Sequence, residues 1–302
     1  MANAKKYHGV VVPMVTPFTE DGGIDIPAAM KITEYLVENK TSPFVLGTTG
    51  EAASVANSER AGFVEAIVKQ TSGRILTYAG IASNCINTSI EAAKKYFDLG
   101  IDAVVAHLPS YYPLTADHMM KYYETLAESV PGPLMIYNIT ITTHMSIPIE
   151  VIEKLSHHPN IVGTKDSEKN VDRLKKILEI TKDRDDFVHL TGSAALSAQA
   201  MLKGSDGIVP STANFIPKMF YELYEAGVKG DADTANRLQA ETDEIAKIYQ
   251  GGRILSQSLA ALKFVMSEFG LCGENVLPPL YQVSESEKAE IKEKLKTMGL
   301  TK

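Results

Sequence analysis

Short runs of β-branched and other apolar residues recur along the chain and predict eight β-strands. The runs begin at intervals of roughly 20 to 35 residues, which is the length of one strand followed by one helix. They span residues 9–15, 44–47, 75–79, 103–106, 133–137, 161–164, 187–190 and 207–209. This regular spacing favours repeated βα units around a parallel sheet.

Between these runs, apolar residues recur with the period of an α-helix. Ile90, Ala93, Tyr96 and Phe97 share one helical face, and Asn170 is a suitable N-cap for the helix that follows it. The chain has no glycine-rich dinucleotide turn, which is common in a doubly wound open sheet. Eight strands that alternate with helices therefore predict an α/β fold of the (β/α)8 TIM barrel type.

The strand pattern stops near residue 225. Residues 231–249, 255–269 and 286–298 all have helical periodicity. We therefore expect a catalytic barrel over residues 1–224 and a C-terminal helical region, 225–302, packed on it.

Composition and charge narrow the class of function. The 302 residues are 44% hydrophobic and 22% charged, as in ordinary globular proteins, and the net charge of -7 argues against nucleic acid or anionic membrane as partner. Cys85 and Cys272 form neither a disulfide framework nor a zinc motif. The sequence shows no signal peptide and no run long enough to span a membrane. We expect a cytoplasmic enzyme that acts on small molecules without metal or cofactor.

In a TIM barrel the functional residues lie at the carboxyl ends of the strands. Lys165 directly follows the apolar run of the sixth predicted strand, so its amine is expected near the barrel axis. Burial lowers the pKa of a lysine, and a neutral amine attacks a ketone to form an imine that draws electrons from a neighbouring C–C bond. The alternative is a lysine that has just reached solvent, and position alone does not decide between them.

Other strand ends carry hydroxyl groups and backbone donors. Gly47, Thr48, Thr49 and Gly50 suit a bound carboxylate, because glycines allow close approach and the threonines donate hydrogen bonds. A plain turn is the alternative. Tyr137 ends the fifth run, where a phenol either relays a proton or lines the barrel.

Several further residues are open to more than one interpretation. Tyr112 is either a proton-relay group, a lining aromatic or part of a subunit contact. Glu51 is a general base or a cap, His107 is expected in the core or lining, and His144 is a weakly supported substrate contact. The histidines do not form a metal set, and no Ser-His-Asp order indicates a hydrolase.

The chain resembles the dihydrodipicolinate synthase and N-acetylneuraminate lyase family over nearly its whole length. Five motifs at the predicted strand ends carry the resemblance: GTTGE at 47–51, PSYY at 109–112, YN at 137–138, GTKD at 163–166 and GIVPSTAN at 207–214. The resemblance implies a TIM barrel with a helical C-terminal region, a homotetramer built as a dimer of dimers, and chemistry without a metal.

The resemblance also implies roles for particular residues. Lys165 would form a Schiff base with pyruvate, and Tyr137 would bond the pyruvyl group and relay protons. Thr48 and Thr49 would hold the pyruvate carboxylate. Tyr112 would reach into the site of a neighbouring subunit.

The part of the family pattern that selects the second substrate differs here. The backbone of Val209 would line the pyruvate pocket as in the family, but Thr142 stands where the synthases carry an arginine for the second substrate's carboxylate. Gly192 is followed by Ser-Ala-Ala, residues 193–195, where sialic acid lyases carry acidic residues for sugar hydroxyls. Thr142 and His144 at the mouth indicate a neutral or polyhydroxylated aldehyde half.

These features lead to a functional expectation with several alternatives. We expect reversible cleavage of a 2-oxo acid to pyruvate and an aldehyde, with a 2-keto-3-deoxy sugar acid such as 2-keto-3-deoxygluconate as substrate. The alternatives within the enzyme class are 4-hydroxy-2-oxoglutarate aldolase, N-acetylneuraminate lyase, a condensation like that of dihydrodipicolinate synthase, and a dehydratase using the same imine. The alternatives outside it are a non-catalytic 2-oxo acid sensor and a phosphosugar-binding barrel.

Overall fold

The computed structural model describes residues 5–301, in which eight parallel strands close into a barrel in sequence order. The barrel closes where β8 pairs with β1. The strands are β1 (Gly9–Pro13), β2 (Ser42–Val45), β3 (Tyr78–Gly80), β4 (Ala103–His107), β5 (Leu134–Asn138), β6 (Ile161–Asp166), β7 (Val188–Thr191) and β8 (Gly207–Ile208). The predicted TIM barrel is confirmed.

Helices follow the strands and surround the barrel. They are α1 (Ile26–Glu38), α2 (Asn57–Thr71), α3 (Ile86–Asp98), α4 (Ala116–Ser129), α5 (Thr140–Thr143), α6 (Ile149–Leu155), α7 (Val171–Thr181), α8 (Ser197–Leu202), α9 (Pro217–Lys229), α10 (Ala232–Gln250), α11 (Leu255–Glu268) and α12 (Glu285–Thr297). As predicted, Asn170 caps α7, because its side chain accepts hydrogen bonds from the backbone N–H groups of Asp172 and Arg173. Among residues 5–301, no helix has the length and apolar character needed to cross a membrane.

The strand bounds differ from the predicted runs where the backbone leaves the extended region. The second run was predicted over 44–47, but β2 is Ser42–Val45 because Leu46 has a φ of 55° and ends the strand. The third run was predicted over 75–79, but β3 pairs with β2 only from Tyr78 onward. In both places the apolar run includes residues whose backbone does not pair with a neighbouring strand. The apolar character of a residue does not show whether its backbone is paired, so the runs and the strands differ in their bounds.

The predicted boundary between residues 224 and 225 falls inside α9, a helix that spans Pro217–Lys229. Helices α10, α11 and α12 then form the C-terminal helical region. Buried residues of all three helices belong to the same apolar cluster as the outer faces of the strands. This packing brings α11 against the loop that follows β2.

A separate apolar cluster fills the inside of the barrel, and the rings of Phe44 and Tyr137 belong to it. Because side chains alternate along a strand, neighbours in β6 face opposite ways. Asp166 points outward, where it pairs with Arg173 of α7. Lys165 points inward onto the aromatic rings of the inner cluster.

Candidate active site

Lys165 and Tyr137 are neighbours inside the barrel, because β5 and β6 pair with these two residues in register. Nζ of Lys165 lies 3.8 Å from the centroid of the Tyr137 ring and 4.8 Å from that of Phe44. Lys165 is only 4% exposed. Burial lowers the pKa of Lys165 below its ordinary value, although the neighbouring Tyr137 opposes the shift. The site therefore favours the neutral amine that imine formation requires.

A cavity of about 500 Å³ opens at the carboxyl ends of the strands, and Tyr137 forms part of its wall. Phe44 and Tyr137 form part of its lining together with Gly47, Thr48 and Thr142. Lys165 lies beneath this lining, against the two aromatic rings. The volume is in the range of sites for small molecules.

The loop after β2, which presents Thr48 to the cavity, is held in one conformation by close backbone contacts. The Thr16 hydroxyl donates a hydrogen bond of 2.6 Å to the carbonyl oxygen of Gly50. Gly80 of β3 lies so close to this loop that a Cβ atom there would overlap the carbonyl oxygen of Leu46. The hydroxyl of Thr48 is therefore carried by a closely packed segment.

Glu51 ends the same loop and is tied to the C-terminal helical region. Its Oε1 lies 2.6 Å from Nζ of Lys263 on α11, and both side chains are buried. Lys263 also donates to the carbonyl oxygen of Asn275 at 2.8 Å, and Oε2 of Glu51 accepts from the backbone N–H of Leu277 at 3.2 Å. Burial raises the pKa of Glu51 while the charge of Lys263 lowers it. Glu51 lines the cavity, but this pairing favours an anchoring role over that of a general base.

A second buried network fixes the ends of β5 and β6. Nδ2 of Asn138 donates to Asp166 at 3.0 Å and to Glu168 at 2.8 Å. Nε of Arg173 donates to the same Asp166 carboxylate at 2.8 Å. Oδ1 of Asn138 accepts from the backbone N–H of Ile147 at 3.0 Å. Asn138 directly follows Tyr137, and Asp166 directly follows Lys165. The network therefore holds the backbone on both strands next to these two residues.

The glycine after β7 leaves room for the lysine. A Cβ atom at Gly192 would overlap the Ser167 hydroxyl and would lie 3.1 Å from Cε of Lys165. Val209 is buried in the inner cluster with Tyr137 and Leu190, and its backbone N–H donates to Thr191 at 2.8 Å. Gly192 and Val209 thus lie around the Lys165 and Tyr137 side chains, outside the cavity lining.

Three residues predicted for the site do not line the cavity of the single chain. Tyr112 is 69% exposed and contacts Tyr111 edge-to-face, with ring centroids 4.9 Å apart. His144 is exposed at the end of α5, with a φ of 59°. Thr49 is half-buried next to Thr48 but is not among the cavity-lining residues.

The cavity also has lining residues that the strand-end rule missed. Ser83 and Asn84 lie just beyond the predicted end of the third strand unit, and Leu255 and Ser256 belong to the beginning of α11. No pattern in the sequence indicated that a helix after the last strand returns to the cavity. His107, which was expected in the core or lining, does line the cavity. Over the described part of the chain, no group of three or more His, Cys, Asp or Glu residues is arranged to hold a metal ion.

The fold and site define a class: a TIM barrel with a desolvated lysine packed against a tyrosine in the wall of a cavity for small molecules. The sequence model of the Dihydrodipicolinate synthetase family matches residues 6–298, and the chain belongs to this family. The family consists of pyruvate-dependent class I aldolases and lyases, and this chain is a carbon–carbon lyase of that kind.

Similar proteins agree over the full length. The chain is 29% identical to the 4-hydroxy-tetrahydrodipicolinate synthase of Alkalilimnicola ehrlichii over 97% of this chain and 99% of that protein. The dihydrodipicolinate synthase structure from Bacteroides thetaiotaomicron matches with a TM-score of 0.92 and 29% identity, covering 97% of this chain and 99% of that one. The structure of YagE, a prophage protein of this family from E. coli K12 in complex with pyruvate, matches with a TM-score of 0.91 and 25% identity over 97% and 99%.

Proposed function

We propose that this enzyme cleaves a 2-keto-3-deoxy sugar acid reversibly to pyruvate and a neutral, hydroxylated aldehyde, through an imine on Lys165. The observation that carries the choice of substrate is the uncharged hydroxyl of Thr142 in the cavity lining. The pyruvate complex of the structurally similar YagE supports the pyruvate half of the assignment.

The imine chemistry follows from the environment of Lys165. The neutral amine attacks the C2 ketone of the substrate, one proton is taken up from solvent and water leaves, which gives a protonated imine. Thr48, which lines the cavity, holds the carboxylate, and the Tyr137 hydroxyl bonds the pyruvyl group. The C3–C4 bond then breaks, the imine accepts its electron pair, and the C4 hydroxyl loses its proton as the aldehyde forms. Protonation of C3 and hydrolysis of the imine release pyruvate.

The lining of the cavity argues against a second carboxylate on the substrate. Oγ1 of Thr142 is buried in the lining and has no hydrogen-bond partner within residues 5–301. Among residues 5–301 the lining has one arginine, Arg60, and its Nε and Nη2 atoms donate to the backbone carbonyls of Val55 and Ala52. A distal carboxylate would lack a dedicated bidentate partner, whereas a substrate hydroxyl suits Thr142.

This argument also ranks the other aldol substrates. 4-Hydroxy-2-oxoglutarate carries a distal carboxylate, which Thr142 does not favour and which Arg60, bonded to backbone carbonyls, is not free to pair with bidentately. N-acetylneuraminate is disfavoured because Ser193 and Ala194 follow Gly192 in place of acidic side chains. A dehydratase using the same imine would release no pyruvate, and a 2-oxo acid sensor would not turn over.

A second candidate rests on the relatives. The similar proteins from several bacteria are named 4-hydroxy-tetrahydrodipicolinate synthase, and this family combines pyruvate with aspartate semialdehyde. Thr142 in place of an arginine weighs against this condensation in the present chain, because aspartate semialdehyde carries a carboxylate.

The subunit arrangement is proposed on the same basis. We infer a homotetramer built as a dimer of dimers, in which Tyr112 enters the site of a neighbouring subunit. The exposed ring pair of Tyr111 and Tyr112, 75% and 69% exposed, supports a contact of this kind. Analytical ultracentrifugation tests it: we expect a tetramer, and a stable, active monomer would contradict the inference.

A substrate panel tests the proposed reaction. Pyruvate release is followed with lactate dehydrogenase for 2-keto-3-deoxygluconate, 4-hydroxy-2-oxoglutarate and N-acetylneuraminate, and condensation is followed with aspartate semialdehyde. We expect the highest kcat/KM for the deoxy sugar acid. In Thr142→Arg we expect a loss of that activity and a gain with carboxylate-bearing partners, while Thr142→Ser serves as the matched control. A preference of the unaltered enzyme for aspartate semialdehyde would overturn the proposal in favour of the second candidate.

A further inference from the structure

We propose that His107 is an additional catalytic residue, which takes up and returns a proton beside the Lys165 imine through its Nε2 atom. The inference rests on the proposed imine chemistry. It adds a group that the strand-end motifs of the sequence do not include.

The strand pairing places His107 next to the two central residues. In the barrel, β4 and β5 align His107 with Tyr137, and β5 and β6 align Tyr137 with Lys165. Side chains at paired positions of parallel strands point to the same side of the sheet. The rings of His107 and Tyr137 are edge-to-face, with centroids 6.1 Å apart, and both line the cavity.

A hydrogen bond determines which nitrogen of His107 is free. Nδ1 lies 2.8 Å from the carbonyl oxygen of Leu108. A carbonyl oxygen only accepts, so Nδ1 carries the hydrogen and the lone pair of the neutral ring resides on Nε2. Nε2 makes no hydrogen bond to any residue from 5 to 301. A half-buried imidazole in the cavity wall therefore presents an unused acceptor.

The surroundings keep this ring neutral. Burial is the main cause that lowers the pKa of His107, and the charge of Lys165 lowers it further, while the bond to Leu108 opposes them. The titratable groups facing it are Tyr137 on the adjoining strand β5 and Lys165 on β6, one strand further round the barrel. A neutral imidazole is a better base at neutral pH than a phenol, whose ordinary pKa is about 10.

In the proposed step, the proton that His107 takes up is returned to the substrate. Nε2 takes the proton of the substrate's C4 hydroxyl as the C4–O double bond forms and the C3–C4 bond breaks. The electron pair of that bond neutralises the imine and leaves an enamine on Lys165. The imidazolium then returns the proton to C3, which restores neutral His107 and the imine of pyruvate. Water hydrolyses this imine, so the reaction needs no oxidant or reductant.

The return step can be measured without knowing the aldehyde. In D2O, we expect the enzyme to exchange the methyl hydrogens of pyruvate through the same enamine, and NMR follows the loss of the methyl signal. His107→Gln preserves much of the size and the hydrogen-bonding capacity but exchanges no proton at neutral pH. We expect the exchange rate to fall about a hundredfold, while borohydride still traps a pyruvate adduct at the level of the unaltered enzyme. His118→Gln, at an exposed position on α4, is the control and should leave both unchanged.

Imidazole rescue separates proton transfer from a packing role. In His107→Ala we expect added imidazole to restore exchange several-fold above the enzyme-free imidazole blank. Exchange at the unaltered rate in His107→Gln, loss of the trapped adduct in that variant, or absence of imidazole rescue in His107→Ala would each overturn the inference. Absence of an adduct in the unaltered enzyme would instead overturn the proposed imine chemistry itself.

Discussion

Glu51 and Lys263 form a buried ion pair, with 2.6 Å between Oε1 and Nζ, that joins the loop after β2 to helix α11. The same loop presents Thr48 to the cavity, and the beginning of α11 supplies Leu255 and Ser256 to its lining. This ion pair thus connects two parts of the cavity wall, the loop after β2 and the beginning of helix α11. Its removal should affect both stability and the shape of the site.

Lys263→Met should destabilise the fold strongly, because it leaves the buried Glu51 carboxylate without its cationic partner. The expected loss is about 3–5 kcal/mol in the free energy of unfolding, measured by denaturant titration. The double variant Glu51→Gln with Lys263→Met should recover much of this loss, since it removes both charges. An equal or larger loss in the double variant would show that the ion pair is not the cause.

Lys165→Met should abolish lyase activity and stabilise the fold. The pKa of Lys165 is lowered in the folded state, so between that pKa and the ordinary lysine value near 10.5 the unfolded chain binds the additional proton. The free energy of unfolding of the unaltered enzyme therefore rises with pH across this window. Below the window the lysine is charged in both states, and its burial destabilises the folded state in full. At neutral pH we expect Lys165→Met to be about 0.5–2 kcal/mol more stable.

That gain should shrink as the pH rises through 10.5, above which the lysine becomes neutral in both states. Denaturant titrations of the two proteins at several pH values measure the difference. Lys169→Met is the control, because Lys169 is exposed four residues further along the chain. A gain that does not change with pH would point to packing and not to the desolvated charge.

Gly192→Ala should impair catalysis with a small effect on folding. The added methyl group forces Ser167 to rotate and presses on Cε of Lys165, which lies 3.1 Å from the Cβ position. Because small displacements of a nucleophile are costly, we expect kcat/KM to fall about tenfold or more. Gly62→Ala is the matched control, since nothing lies within 4 Å of its Cβ position. Full activity in Gly192→Ala would show that Lys165 has room to move.

The sequence pattern predicted the barrel because each β-strand is a short apolar run with its own following helix. It also predicted that Lys165 and Tyr137 lie together, since consecutive strand ends meet at one rim of a barrel. The bounds of β2 were not predictable, because the left-handed Leu46 that ends the strand belongs to an apolar run. The predicted apolar run continues past that residue, so its composition does not mark where the strand ends.

The C-terminal side of the cavity was also beyond the sequence pattern. Lys263 lies in an apolar helix, and nothing local indicates that its partner is Glu51, more than two hundred residues earlier. Leu255 and Ser256 carry no motif, because a helix that lines a cavity has the same amphipathic pattern as one that packs on a barrel. Such long-range contacts follow from the packing of α11, which only the folded chain displays.

The imine on Lys165 is the central claim, and trapping it is the most direct measurement. The protein is incubated with pyruvate, reduced with borohydride, and its intact mass and peptides are determined by mass spectrometry. We expect one pyruvate-derived secondary amine per chain on Lys165, present in Lys169→Met and absent in Lys165→Met. No adduct, or an adduct on another lysine, would contradict the proposed mechanism.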